Sequence, residues 1–224
     1  PLRAFFASAE KATMLSQRAL SRDALAPEFT MADIRQGQRP NGSTDPDGDD
    51  YLALQANGFA DYRLTVTGLV ANPLSLSYAD LRALPSRTQI TRHDCVEGWS
   101  CIAKWKGVPL GAVLPAAQPR LTARYALFHC YDAIERSLSG EVYYYETIDM
   151  IDAYHPQTIL AYDLNDAALP VANGAPLRLR VERQLGYKMA KYVHTIELVD
   201  SFAALGLGRG SYWADRGYEW YAGI

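Results

Sequence analysis

The sequence predicts an α+β domain, built of mixed β-sheets with short helices and preceded by a helical flank. Two observations carry that prediction. From residue 62 onward the chain falls into short runs, "YRLTVTG", "TQITRHDCV", "RYALFHCY", "EVYYYETI", "TILAYDL", "LRLRVE" and "YVHTIELVD". These are rich in β-branched and aromatic residues and bounded by turn formers, which is how strands read. Ahead of them, Leu2, Phe5, Phe6, Ala9, Ala12, Leu15 and Ala19 recur at spacings of three and four, the period of one amphipathic helix.

The elements follow in order. After the helix, "RQGQRPNGSTDPDGDD" concentrates Gly, Pro, Asn, Asp and Ser over residues 35–50, a loop long enough to be a binding loop rather than a connector. Residues 1–50 therefore read as a helix and polar loop, and 51–224 as the main domain. Two short helices interrupt the strands. "SYADLRAL" opens with Ser77 three residues before Asp80, as a capping box does, and "VPLGAVL" carries Pro109 where a first-turn proline is tolerated. Asn165-Asp166 suits a hairpin turn. The last stretch holds Gly206, Gly208 and Gly210 as G-x-G-x-G, but without the strand-loop-helix context of a dinucleotide fingerprint. It reads as a tail wrapped over the body on aromatic anchors.

A hydrophobic content of 49% supports a sizeable core. The formal net charge of -3 argues against nucleic acid or an anionic membrane as the main partner, since both reward a basic surface. No apolar run is long enough to span a bilayer. The chain opens at Pro1 without a methionine, so a preceding segment is expected to have been removed, an export signal being one candidate.

Three cysteines, Cys95, Cys101 and Cys130, are too few and too uneven for a disulfide framework, and an odd count leaves a free thiol. Cys95 follows Arg92, His93 and Asp94 and precedes Glu97, polar company that could stabilise a thiolate. The residues alone leave several readings open. One is a buried thiol acting as a small hydrophobe. Another is a zinc or copper site using His93, Cys95, Cys101 and His129 or Cys130, although the spacings match no structural zinc pattern. A third is a cysteine-dependent hydrolase with His155 or His129 as base. A non-catalytic β-rich binding module is a further alternative.

"CVEGWS" with "KWKGVPL", followed some way downstream by "NGAPLRLRV" with "LGYKMAKYVHTIEL", resembles the molybdopterin-binding domain of the sulfite oxidase family. The resemblance is closer to the branch of the molybdenum-bearing subunit of bacterial periplasmic methionine sulfoxide reductase. It covers about residues 60–200 and implies the sulfite-oxidase-type fold and a molybdenum-molybdopterin cofactor, with Cys95 as the one protein thiolate on the metal. One soft ligand then suffices, because the pterin brings the other sulfurs. Cys101 is left as buried filler.

The same resemblance implies cofactor contacts at Asn41, Asn173, Arg178 and the Met189-Ala190-Lys191 segment, and by its chemistry Lys188 or Lys191 can offer phosphate a point charge. Arg178 can offer a planar fork to phosphate. It also implies a contact at Cys130, or at His129 beside it. His93, two residues before the ligand, shares its strand face and is a further candidate. C-terminal aromatics, Tyr221 among them with Tyr212, Trp213, Tyr218 and Trp220, are implied near the substrate funnel.

The implied reaction is two-electron oxygen-atom transfer on a sulfur oxide, sulfoxide or N-oxide, free or protein-bound. No haem or iron-sulfur motif is present, so an external electron donor or acceptor is expected, such as a membrane haem protein or a cytochrome. A periplasmic location is implied by kinship.

Overall fold

The computed structural model of the protein describes residues 2–35, 37–138 and 140–224, with the side chains of Leu2, Phe5 and Phe6 outside what it describes. The predicted first helix is α1 (Leu2–Ser21). The face it presents to the body differs from the predicted stripe: Ala9, Ala12, Leu15 and Ala19 are exposed, while Glu10, Met14, Gln17 and Arg18 are half-buried. The polar face docks because the body offers polar partners. Arg18 donates to Asp149 and Asp152 at 2.7–2.9 Å and lies 5.0 Å from the Tyr221 ring.

The loop that follows runs to Gly48 and ends in a helix not foreseen from sequence, α2 (Asp49–Ala56), which starts on two acidic residues favourable to a helix N-terminus. Next come β1 (Arg63–Gly68), β2 (Leu74–Ser77) and α3 (Tyr78–Ala83). The Ser77/Asp80 capping box is formed, with Asp80 N donating to Ser77 Oγ at 3.1 Å and Ser77 N to Asp80 Oδ2 at 2.8 Å. After β3 (Arg87–Asp94) and β4 (Ser100–Pro109), Pro109 is the N-cap of α4 (Leu110–Ala117), one position earlier than expected. Then follow β5 (Tyr125–Ser137), β6 (Gly140–Asp149), α5 (Met150–Ala153), β7 (Ile159–Leu164), β8 (Ala167–Ala168), β9 (Arg178–Arg180) and β10 (Val193–Val199). Asn165 and Asp166 both have positive φ, 50° and 64°, and close the β7–β8 hairpin through the Leu164–Ala167 pair, the conformation two-residue hairpins favour.

Among the described residues the strands form two five-stranded sheets. The first has the order β2-β1-β10-β5-β6 and is mixed, since β1 and β10 run parallel. The second, β3-β4-β7-β8 with β9 on β7, is antiparallel. Val66, Phe128, Ile148 and Ile196 of the first sheet and Val108, Leu160 and Leu179 of the second share one buried cluster. This face-to-face packing fixes the distance between the ends of β3 and β9 and the β5–β6 hairpin. The tail wraps back over the body as predicted. A side chain at Gly210 would meet Trp220 at 2.7 Å, so this glycine packs close rather than cradling a phosphate.

Candidate functional site

β3 ends at Asp94, and the next residue is Cys95, held in a tight turn. Its amide donates to Trp99 O at 2.9 Å and its carbonyl accepts from Gly98 N at 3.0 Å, with Gly98 at φ 86°, a value glycine adopts without strain. Cys95 stands at a cleft of about 130 Å³. The turn contributes Val96 and Glu97, the polar loop Asn41 and Ser43, and β5 and β6 contribute Asp132 and Tyr144. The segment after β9 adds Gly186, Tyr187, Met189 and Lys191, and the tail adds Trp213 and Tyr218.

The cleft is backed by buried cations. Arg178, fully buried, donates through Nη1 to Asn173 O at 3.1 Å and through Nη2 to Asn41 Oδ1 at 3.0 Å, and its Nε has no partner. Lys191 Nζ donates to the carbonyls of Ser43 and, at 3.0 Å, of Ala172. Among the described residues neither cation has a carboxylate within ion-pair reach. Burial, with Arg180 alongside, pushes the Arg178 guanidinium down to about 9, and burial with Arg178 nearby pushes Lys191 down to about 7. Asp132 is pushed up to about 6 by burial. Arg180, by contrast, is satisfied by Glu182 at 2.6 and 2.8 Å and by His93 Nδ1 at 3.0 Å. A buried cation without an anion is costly, and an anionic group in the cleft beside Lys191, with Arg178 behind it, would offset that cost.

Cys95 itself is not the electropositive thiol its neighbours suggested. Burial pushes the thiol up, and the Glu97 amide and Arg39 oppose that only in part. The Glu97 carboxylate adds to the effect of burial, and Arg92 turns to Asp94, donating at 2.9 Å.

The remaining predicted residues are placed as follows. Met189 lines the cleft, while Ala190 is in the core and its carbonyl accepts from Leu179 N at 2.8 Å. Asn173 is buried behind it, with Nδ2 donating to Gln38 O at 3.2 Å. His93 is fully buried behind Cys95, held neutral by burial and by Arg178, Arg180 and Lys191. Its Nε2 lacks a partner, and a carbon at Gly186 would sit 2.3–2.4 Å from its ring. Only glycine lets that segment approach so closely.

Lys188 is turned away from the cleft, its Nζ donating to Glu146 and, at 3.0 Å, to Thr147 O. His129 and Cys130 border a different cavity, of about 1060 Å³. There His129 Nε2 is 2.9 Å from Glu197, and burial pushes the Cys130 thiol well up. Tyr221 docks α1, its hydroxyl 2.8 Å from Gln17 Oε1. The tail aromatics that reach the cleft are Trp213 and Tyr218. Ser43, Tyr144 and Tyr187 were not foreseen; Ser43 had a signal, two residues after Asn41 in the polar loop, Tyr187 had one in the motif around Met189, and Tyr144 had none.

Two alternative readings lose their geometry. Among the described residues no group of three or more His, Cys, Asp or Glu side chains could hold a metal ion, and Cys101 is buried, its Sγ 3.5 Å from Gly37 O. For a hydrolase, neither candidate base reaches Cys95, because His129 faces Glu197 and His155 Nε2 faces Ala24 O at 3.1 Å.

Beside this half-buried thiol at the cleft stands a family match. The family model described as oxidoreductase molybdopterin-binding domain matches residues 52–204. The chain belongs to this family. It carries an oxidoreductase molybdopterin-binding domain. A relative from Azospira oryzae, whose name assigns it to a protein-methionine-sulfoxide reductase as subunit YedZ1, is 40% identical over 164 residues. The match takes in 73% of this chain and 56% of that protein, so the chain spans little more than half the length of this relative. Among solved structures, the sulfane dehydrogenase SoxCD from Paracoccus pantotrophus is similar with a TM-score of 0.56 at 24% identity, over 63% of this chain and 39% of that one. That likeness concerns the fold, which is of the sulfite-oxidase type.

The cofactor of the domain is molybdenum-molybdopterin. The site fits it: a soft thiol for the metal, two unpaired buried cations for a phosphate, and an orphaned Arg178 Nε. No helix of the described residues is long and apolar enough to cross a membrane.

Proposed function

We propose that this domain carries out two-electron oxygen-atom transfer on a sulfoxide, with Cys95 as the protein ligand of molybdenum. The observation that carries the reading is that the Cys95 thiol shares one cleft with Lys191 and with Asn41, and that Asn41 in turn accepts from the fully buried Arg178 behind it. Bound there, the cofactor supplies a metal that exchanges two electrons and an oxygen atom with a substrate. Arg178 and Lys191 would hold its phosphate, with the Arg178 guanidinium kept in place by Asn41 Oδ1 and Asn173 O, and Met189 and Lys191 would border it. Gly186 and His93 keep that segment close to the Cys95 turn. Residues 51–224 are the catalytic domain, and residues 1–50 complete it through Asn41 and Ser43.

The lining favours a neutral sulfoxide over an oxyanion such as sulfite. Apart from Lys191, which this reading assigns to the cofactor phosphate, the lining of the described residues holds no cation, and it includes Val96, Ile134, Trp213 and Tyr218 beside the carboxylates of Glu97 and Asp132. An oxyanion site needs free charged donors. A thioether oxide needs apolar walls and room for the S–O dipole. The name of the Azospira oryzae relative agrees with this choice. The electron donor is external, a haem protein being the class that kinship suggests, and kinship likewise supports a periplasmic setting.

The test is to prepare the molybdenum-loaded protein and measure oxidation of reduced viologen by methionine sulfoxide, other S-oxides and N-oxides. Sulfite oxidation is followed separately with ferricyanide. Turnover of sulfoxides with no sulfite oxidation is expected; the reverse pattern overturns the substrate reading.

A further inference from the structure

We propose that the groove between α1 and the tail is a subsite for a large apolar side chain flanking the sulfoxide in a polypeptide substrate, an inference that rests on the sulfoxide reading above. The groove has a volume of about 750 Å³. Its floor is aromatic: Tyr125 and Phe202 have ring centroids 4.7 Å apart, and Trp220 lies 5.6 Å from Tyr125 and 5.4 Å from Phe202. Met14 of α1 forms the facing wall, and all four side chains are half-buried. Trp220 is fixed in orientation, since its Nε1 donates to Thr147 Oγ1 at 2.8 Å.

What ties this groove to the chemistry is Tyr218. It lines both the groove and the Cys95 cleft, and its ring is braced by Tyr187 and Trp213, each 5.2 Å away. Tyr218 is 38% exposed, a lip rather than a closed partition. By contrast the cleft's wall towards the cavity of about 1060 Å³ is Tyr144, which is buried, its hydroxyl donating to Tyr187 O. A chain laid over the cleft can therefore continue over Tyr218 but not past Tyr144. An extended peptide places side chains of residues i and i+2 on one side roughly 7 Å apart, about the width of the tyrosine lip.

Charge does not select the occupant. The rim carries Glu10 and Glu219, and also Lys11 and Arg209, so acids and bases balance. The floor decides, and aromatic and thioether surface favours apolar side chains. A free amino-acid sulfoxide is too short to span both places.

The experiment uses the molybdenum-loaded enzyme with viologen as electron source and heptapeptides bearing one central methionine sulfoxide, with Phe or Asp two residues to either side. Binding of the corresponding methionine peptides is measured by calorimetry, and dimethyl sulfoxide serves as the small substrate. The Phe peptides are expected to show about tenfold higher kcat/KM and tighter binding than the Asp peptides. Phe202→Ala and Met14→Glu should bring that ratio to about one while leaving turnover of dimethyl sulfoxide unchanged. Met14 lies on α1, so its substitution leaves the tail's own packing intact. Equal use of both peptides by the wild type, or an undiminished preference in both variants, overturns the subsite even if sulfoxides are reduced. If no sulfoxide is reduced, the substrate reading falls, and calorimetry alone then decides whether the groove selects apolar peptides.

Discussion

Asn41 and Arg178, 137 residues apart in sequence, meet at 3.0 Å, amide oxygen to guanidinium. The polar loop before the domain and the short strand β9 deep within it are thereby parts of one site. Each is explicable only through the other: the loop is ordered at this point by a buried cation, and the cation is held in a fixed plane by the loop. Among the described residues the Arg178 Nε has no partner.

Replacing Cys95 by serine should abolish stable molybdenum binding while leaving the fold intact. The side chain is half-exposed and outside both hydrophobic clusters. Metal content by mass spectrometry and far-ultraviolet circular dichroism check the two halves of this statement. Full molybdenum occupancy in the variant would contradict it.

Lys191 gives the cofactor-free protein a pH dependence of known sign. Its folded pKa, about 7, lies below the ordinary lysine value of 10.5. Below about 7 both states are protonated and the burial cost is fully present. Between about 7 and 10.5 the unfolded chain holds the extra proton, so stability rises with pH. A gain of roughly 2 kcal/mol from this group between pH 7 and 9 is expected, absent in Lys191→Met, as read by urea unfolding.

Asp132 acts with the opposite slope. Its folded pKa is about 6, against an ordinary 3.8, so the folded state holds the extra proton between those values. The stability contribution is present at about pH 4 and lost as pH rises through 6. Asp132→Asn should remove that loss, as followed by thermal melts of the cofactor-free protein at pH 4.5 and 6.5.

Arg18→Ala should loosen α1. It removes the partner of Asp149 and of Asp152, the latter almost fully buried. Leaving buried carboxylates unpaired costs about 3 kcal/mol; Arg183, 3.0 Å from Asp152, reduces that. A fall in melting temperature of roughly 5 °C, with faster proteolysis within residues 2–21, is expected.

Gly186→Ala should lower cofactor retention more than stability. The new carbon would lie 2.3–2.4 Å from the His93 ring, so His93 or the Gly186–Lys188 turn must move, carrying Met189 with it. Pterin released on denaturation, measured by fluorescence, should drop at least tenfold relative to protein.

Much of the fold was legible because local chemistry and final structure agree. The strand runs, the Ser77/Asp80 cap and the Asn165-Asp166 hairpin depend on neighbours a few residues away. The two motifs around Cys95 and Arg178 were legible for another reason, as a resemblance. The stripe on α1 was misleading: its period was right, but the helix buries the face that carries Arg18 because Asp149 and Asp152 wait there.

By itself the sequence determined where strands and turns form, that one thiol stands at the end of a strand, and which family that thiol suggests. Only the tertiary structure decided which of the neighbouring residues share its cleft. Met189 and Lys191 face it, while Lys188 turns to Glu146 and Tyr221 to α1. The physical reason is that a side chain's partner is set by what the packing of two sheets brings within a few ångströms, and sequence adjacency carries no record of that distance.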